Sequence, residues 1–440
     1  MKKVIVVTVV LIAIVVSYIV FDTFKEENNE VYLKDMEPDK NITLNIFYSG
    51  DNISFQTVVE EVCKEFMAEN PDIKIMTEQS GYGDYTESLK VKEATGNFPD
   101  IFEVKDLNML LEFNKLGEIP KEISSGIDNV IKINDKVYSI PFYDTSFGII
   151  YNKVLFKKFN LSIPKNYDEF LEICEVFEQN GISPLAIGGS KSENITYWMN
   201  YFFLTNVEGA KENWQQNKKE GTVSFEDEDM LKALSNYQNL MNSKYILKES
   251  IDMNDNQIIV NLLKQNVAMY LTEPSMFSNI FDLYPNSADS DKTNTGEEIE
   301  NDTVKFRMGW FYMPDQYGNS IVVKKNGVQW GISESCNADS EKKEAIYRFL
   351  NFCYEEDTYR QALKTMYAFP TTKGAILYPA PLVQQELIKA YRYSDKIETY
   401  LGDYNTSESF KKNFEDVLYK LASNNITVEQ AAKILDENFQ

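Results

Sequence analysis

The sequence contains no histidine. That absence removes the commonest general base, every Ser-His-Asp or Cys-His arrangement, and nearly all imidazole metal sites. An enzyme built from this chain would have to work with carboxylates, tyrosine or lysine. With 68 acidic residues, carboxylate pairs arise by chance, so spacing alone nominates none. Cysteine is scarce: Cys63, Cys174, Cys336 and Cys353, no two of them in a CxxC pattern. Cys63, Cys174 and Cys353 fall on apolar faces of expected helices, which reads as buried thiols, while two disulfides stay open for an exported chain. Basic residues are the minority, 44 against 68, and the net charge of -24 leaves no basic stripe for nucleic acid or an anionic membrane surface. The remainder is ordinary for a folded protein. At 440 residues and 43% hydrophobic, the chain has room for two or three domains or one large two-lobed body.

One long uncharged run is present, VIVVTVVLIAIVVSYIVF from Val4 to Phe21. At about 1.5 Å per residue it just crosses a bilayer. Lys2 and Lys3 precede it and Asp22, Glu26 and Glu27 follow, which orients the N-terminus to the cytoplasm and the rest outside. No small-residue cleavage site follows, so the run is expected to be a single-pass anchor (residues 1–24), with the polar stretch 25–41 as a tether.

Beyond the tether the pattern alternates. Ile42 to Ser49 is β-rich; Phe55, Val58, Val59, Val62 and Phe66 recur at helical spacing; Asn70-Pro71-Asp72 stops that helix and a second strand follows. A helix over Tyr85 to Thr95 and a strand over Phe98 to Val104 complete a strand-helix-strand-helix-strand unit, the signature of a parallel α/β sheet. In such sheets ligands bind beyond the carboxyl ends of strands, here Tyr48, Ser49, Gly50 and Asp51, then Ser80, Gly81 and Tyr82, then Lys105 and Asp106. Downstream, Asn166 with Glu169 forms a capping-box-like helix start, Thr427 with Gln430 another, and Tyr197 and Trp198 open an aromatic cluster with either a cleft-facing or a core role. The acidic stretch 285–303 reads as a surface insertion.

An ordered set of segments carries a resemblance: NFPDIFEV (97–104), IPFYDTSFGIIYNKVLFKKFNLSIPKNYDEF (140–170), AMYLTEPSMFSNI (268–280), GVQWGIS (327–333), EAIYRFLNF (344–352) and FPTTKGA (369–375). Together they resemble the extracellular solute-binding proteins of ABC importers, in the carbohydrate-binding group that includes maltose-binding protein. The resemblance implies a two-lobed periplasmic-binding-protein-like fold, each lobe a mostly parallel sheet flanked by helices. It implies lobe 1 at 42–143 and 314–355, and lobe 2 at 144–313 and 356–440.

It further implies a monomer that captures a carbohydrate in a hinged cleft and delivers it to permease subunits, with no catalysis, cofactor or metal. Ligand contacts are expected from Tyr48, Ser49, Asp51, Tyr82, Asp106, Tyr143, Asp144, Trp198, Glu273, Phe277, Trp310 and Trp330. Two features depart from the group. Glu273-Pro274-Ser275 stands where a tryptophan platform is usual, so maltose specificity does not carry over, and no cysteine precedes Cys63, so no lipid anchor is available. A polyamine or peptide ligand, or a sensor role beside a membrane kinase, fits the same fold.

Overall fold

The computed structural model describes residues 42–439 except 51, 81–84, 129, 191, 209–212, 285–304, 374–381, 400 and 402–406. The expected anchor and tether, and the 285–303 insertion, lie outside the described residues; among the described residues no helix is long and apolar enough to cross a membrane.

Local pattern explains the first unit. In β1 (Ile42–Tyr48) side chains alternate between two faces, so Leu44, Ile46 and Tyr48 enter one core and Phe47 the opposite one. The helix Ile53–Glu69 is capped by the Asn52 side chain, which accepts the Phe55 N–H at 3.1 Å, and it buries Phe55, Val58, Val59, Val62 and Phe66. β2 (Ile73–Gln79), the helix Tyr85–Ala94 and β3 (Ile101–Glu103) follow, and β1 pairs in parallel with both β2 and β3.

The chain then adds β4 (Ile131–Ile133) and β5 (Lys136–Pro141), crosses at Phe142 and Tyr143, and enters the long buried β6 (Asp144–Asn152). Helix Tyr167–Gln179 leads to β7 (Ser183–Ala186), and helices on to β8 (Val267–Thr272), β9 (Met308–Phe311), β10 (Ile321–Asn326), β11 (Gln329–Ile332) and β12 (Lys396–Thr399). The first six-stranded sheet has the order β2-β1-β3-β11-β5-β4. The second runs β12-β10-β6-β8-β7, with β9 also on β6. Each sheet is covered on both faces, which makes two α/β lobes.

Four expectations change. The sheets are mixed and not mostly parallel: β3, β5 and β4 are joined through antiparallel β11 and β5 ladders, and β6 pairs antiparallel with β8, β9 and β10. Part of the cause is local, since Asn134 and Asp135, both at positive φ, turn β4 straight back into β5 as a hairpin, and a two-residue hairpin is necessarily antiparallel. β10 hydrogen-bonds to β6 in the second sheet, although the division at 314 assigned it to the first lobe. The helix Glu356–Met366 buries Tyr359, Ala362, Leu363 and Met366 in the core of the first sheet, although the division at 356 assigned it to the second lobe. At Asn166 the cap is half of the expected box: its side chain accepts the Glu169 N–H at 2.9 Å, but the Glu169 carboxylate reaches Lys165 N–H instead.

The crossings lie side by side. The Gly327 N–H donates to Tyr143 O and the Phe142 N–H to Val328 O, both at 2.8 Å. Asp144 and Phe369 exchange backbone bonds at 3.0 and 2.8 Å, which ties the segment after Met366 to the same place. The Tyr359 hydroxyl donates to Phe142 O at 2.7 Å and the Thr371 hydroxyl to Pro141 O at 2.7 Å.

Candidate functional site

Tyr143 stands in the first crossing, where the two sheets meet, and is 8% exposed. Burial, and then the carboxylates of Glu273, Glu103 and Glu193, push its hydroxyl above the usual phenol range, with the ammonium of Lys325 opposing. It therefore stays a neutral phenol, able to donate and to accept. The charges come from different elements: Glu103 ends β3, Lys325 lies at the end of β10, Glu273 follows β8, and Glu193 lies in the short turn Ser192–Ile195. Lys325 bridges Glu193 and, at 3.2 Å, Glu273. The Tyr197 hydroxyl donates to Glu273 at 3.1 Å, and its ring stacks on Phe147 at 3.8 Å. On the first sheet the Glu103 carboxylate accepts the Ser49 N–H at 3.0 Å, and Lys105 lies 3.9 Å from it.

The expected site residues divide. Tyr143, Glu273 and Ser49 belong to this constellation. Asp144 lies beside it, paired with Lys324 at 2.8 Å. Tyr48 and Trp330 lie beneath its rim; Tyr48 accepts the Gln79 side chain at 3.0 Å and Trp330 packs 5.7 Å from Phe55, which also meets Tyr143. Asp106 caps the helix Leu107–Glu112 and lines a neighbouring groove of about 680 Å³ with Lys90, Asn108, Leu111, Glu112 and Ser407. Across this side of the molecule the Lys411 ammonium reaches Lys105 O at 3.2 Å. Asp51 and Tyr82 lie outside the described residues.

Three expected aromatics are core residues. Trp198 is 1% exposed among Phe170, Tyr201 and Phe202. Phe277 and Trp310 pack together at 5.4 Å, with Trp310 laid over Gly148. The physical reason is position: helix Thr196–Phe203 is buried on all sides, and β9 and the helix Met276–Leu283 put these rings on the far face of the second sheet. Glu103, Glu193 and Lys325 were not singled out from the sequence, since charged residues are common in it and their convergence is purely tertiary. The four cysteines are all buried and free, and burial pushes the Cys63 thiol up to about 12. Among the described residues no group of three or more cysteine, aspartate or glutamate side chains is placed to hold a metal ion.

What the arrangement offers is a phenol, an ammonium, carboxylates and backbone groups over an aromatic bed, a set that hydrogen-bonds hydroxyls and covers apolar CH faces. Known proteins agree in architecture. The profile of bacterial extracellular solute-binding proteins matches residues 49–359. The multiple sugar-binding protein of Streptococcus mutans is 28% identical over 155 residues, 33% of this chain and 36% of that one, so the chain spans about a third of the length of that relative. A solved chitin oligosaccharide binding protein superimposes with a TM-score of 0.73 at 20% identity, covering 90% of this chain and 98% of that one. The solute-binding protein RafE in complex with raffinose gives a TM-score of 0.71 at 18% identity over 90% and 98%. The chain belongs to the bacterial extracellular solute-binding proteins.

Proposed function

We propose that the chain is the substrate-binding component of an ABC importer, which captures a carbohydrate, an oligosaccharide by preference, between its lobes and delivers it to permease subunits without altering it. In this reading the lobes are 42–143 with 327–373, and 144–326 with 382–439. Val4 to Phe21 anchors the body at the outer face of the cell membrane. One observation carries the proposal. The polar constellation at the crossings draws on both sheets, with Tyr143, Glu103 and Ser49 buried and Glu193, Glu273 and Lys325 half-buried, so it lies at the seam between the lobes, and crossings laced side by side form a hinge on which they part.

Tyr143, Glu103, Glu193, Glu273, Lys325 and Ser49 are assigned to the hydroxyls of the sugar and Asp106 to the outer rim, while Tyr197 and Trp330 back the site from the core. The names of the relatives support the ligand class. Three carboxylates against two ammoniums, Glu193 and Glu273 around Lys325 and Glu103 beside Lys105, give a polyamine as the rival ligand.

The test is thermal unfolding of the full chain in detergent against raffinose, stachyose, a chitin oligosaccharide, monosaccharides, polyamines and peptides, with products assayed in the same wells. A ligand at a hundred times its dissociation constant adds about 2.7 kcal/mol. Stabilisation by one sugar class without product establishes the reading. Stabilisation by a polyamine alone, or release of product, replaces it.

A further inference from the structure

Behind the constellation lies a second, buried polar cluster. Asn194 is 3% exposed, and its side-chain N–H groups point to three oxygens: Gly188 O at 2.9 Å, Asp255 Oδ1 at 2.7 Å and Tyr270 Oη at 3.0 Å. The Tyr270 hydroxyl, fully buried in β8, donates to the same Asp255 oxygen at 2.5 Å. Two hydrogens serving three acceptors is a crowded arrangement, and it leaves Asn194 one orientation. The backbone is fitted around it. Gly188 has φ +64, and a Cβ there would lie 2.3 Å from Tyr270 Oη. The loop after β7 is laced down by Gly189 N–H to Ser250 O and Ser190 N–H to Met253 O, both at 3.1 Å. The residue before Asn194 is Glu193, whose carbonyl accepts the Thr196 hydroxyl at 2.7 Å and whose carboxylate pairs with Lys325.

We propose that Asn194, Tyr270 and Asp255 form a positioning cluster that fixes the 192–195 turn so that Glu193, held against Lys325, presents its carboxylate to the ligand at Tyr143. The inference rests on the binding reading above and deepens it by naming what sets the geometry of that site. None of the three touches the ligand. Their work is to remove the rotational freedom of the turn, so that Glu193 does not lose it on binding. A ligand hydroxyl meeting a fixed carboxylate is discriminated from one a bond length away; a mobile carboxylate accepts both.

The experiment is calorimetric titration of the full chain with the same sugar panel, using wild type, Tyr270→Phe, Asp255→Asn, Glu193→Gln and the double variant Tyr270→Phe/Glu193→Gln, each checked for folding by thermal unfolding. Tyr270→Phe is expected to raise the dissociation constant about fivefold or more, the size of one lost hydrogen bond. The double variant is expected to bind no more weakly than Glu193→Gln alone, because the cluster acts through Glu193. A merely structural cluster would make the two losses multiply, and that outcome overturns the proposal. So does a folded Tyr270→Phe that binds as wild type does. If Tyr270→Phe does not fold, Asp255→Asn is read in the same cycle with Glu193→Gln. A wild type that binds no sugar overturns this inference together with the binding reading, whereas sugar binding that ignores all the variants overturns this inference alone.

Discussion

At Asp144 the chain leaves the first crossing with a carboxylate almost sealed from water, and the Lys324 ammonium at 2.8 Å is its cationic partner. Removing one partner of such a pair leaves a buried charge, which costs far more than an exposed ion pair. Lys324→Met is therefore expected to lower stability by about 3 kcal/mol in urea unfolding at neutral pH, and a loss near zero would show that the pair carries no buried charge. Glu175 is the surface counterpart. Hydrogen bonds from Lys244, then Gln179 and Tyr245, hold its carboxyl below the ordinary 4.5, at about 2. A depressed carboxylate stabilises the fold above its unfolded pKa, and that contribution fades as the pH falls from about 4.5 through about 2. In Lys244→Met the Glu175 midpoint should rise toward 4.5, read by carbon NMR titration of its carboxyl. A midpoint still at about 2 would assign the shift to Gln179 and Tyr245 alone.

The elements around the hinge are matched at single-atom scale. Gly327, between β10 and β11, lies under the Tyr143 ring, and a Cβ there would come within 2.3 Å of it. Gly327→Ala is expected to push the ring aside, costing about 1–3 kcal/mol of stability as overpacking does, and to weaken sugar binding at the same time. Unchanged affinity in a folded Gly327→Ala would remove Tyr143 from the site. How well such elements were legible depends on the range of the signal. The run from β1 to β3, with its helices and the stop at Asn70-Pro71-Asp72, is written in local periodicity and caps, and it forms within a residue or two of where the pattern puts it, except that β3 begins at Ile101, three residues after Phe98. The box of Thr427 and Gln430 was legible for the same reason. The burial of the Trp198, Phe277 and Trp310 rings was not legible, because an aromatic reads alike whether it faces a cleft or a core. Glu193 and Lys325 are 132 residues apart, and no local pattern links two charges over that span.

Taken whole, the molecule carries a net charge of -24, yet its proposed ligand is neutral. Binding of an uncharged sugar should then be nearly indifferent to salt between about 0.05 and 0.5 M, whereas a polyamine would lose affinity steeply as the charges are screened. Titration at both ends of that range separates the two, and a strong salt dependence would sink the sugar reading. Lobe closure should also shrink the radius of gyration in solution scattering when sugar is added, and an unchanged radius would count against the hinge. The position of β11 has a consequence of another kind. It sits between β3 and β5, so the first sheet stays in two pieces until Ile332 has been made. At about 5–20 residues per second that takes roughly 15 to 65 s of synthesis. For so long the nascent chain has no finished lobe to lock into, and it remains in a form that a translocation channel, which threads unfolded polypeptide, can still accept.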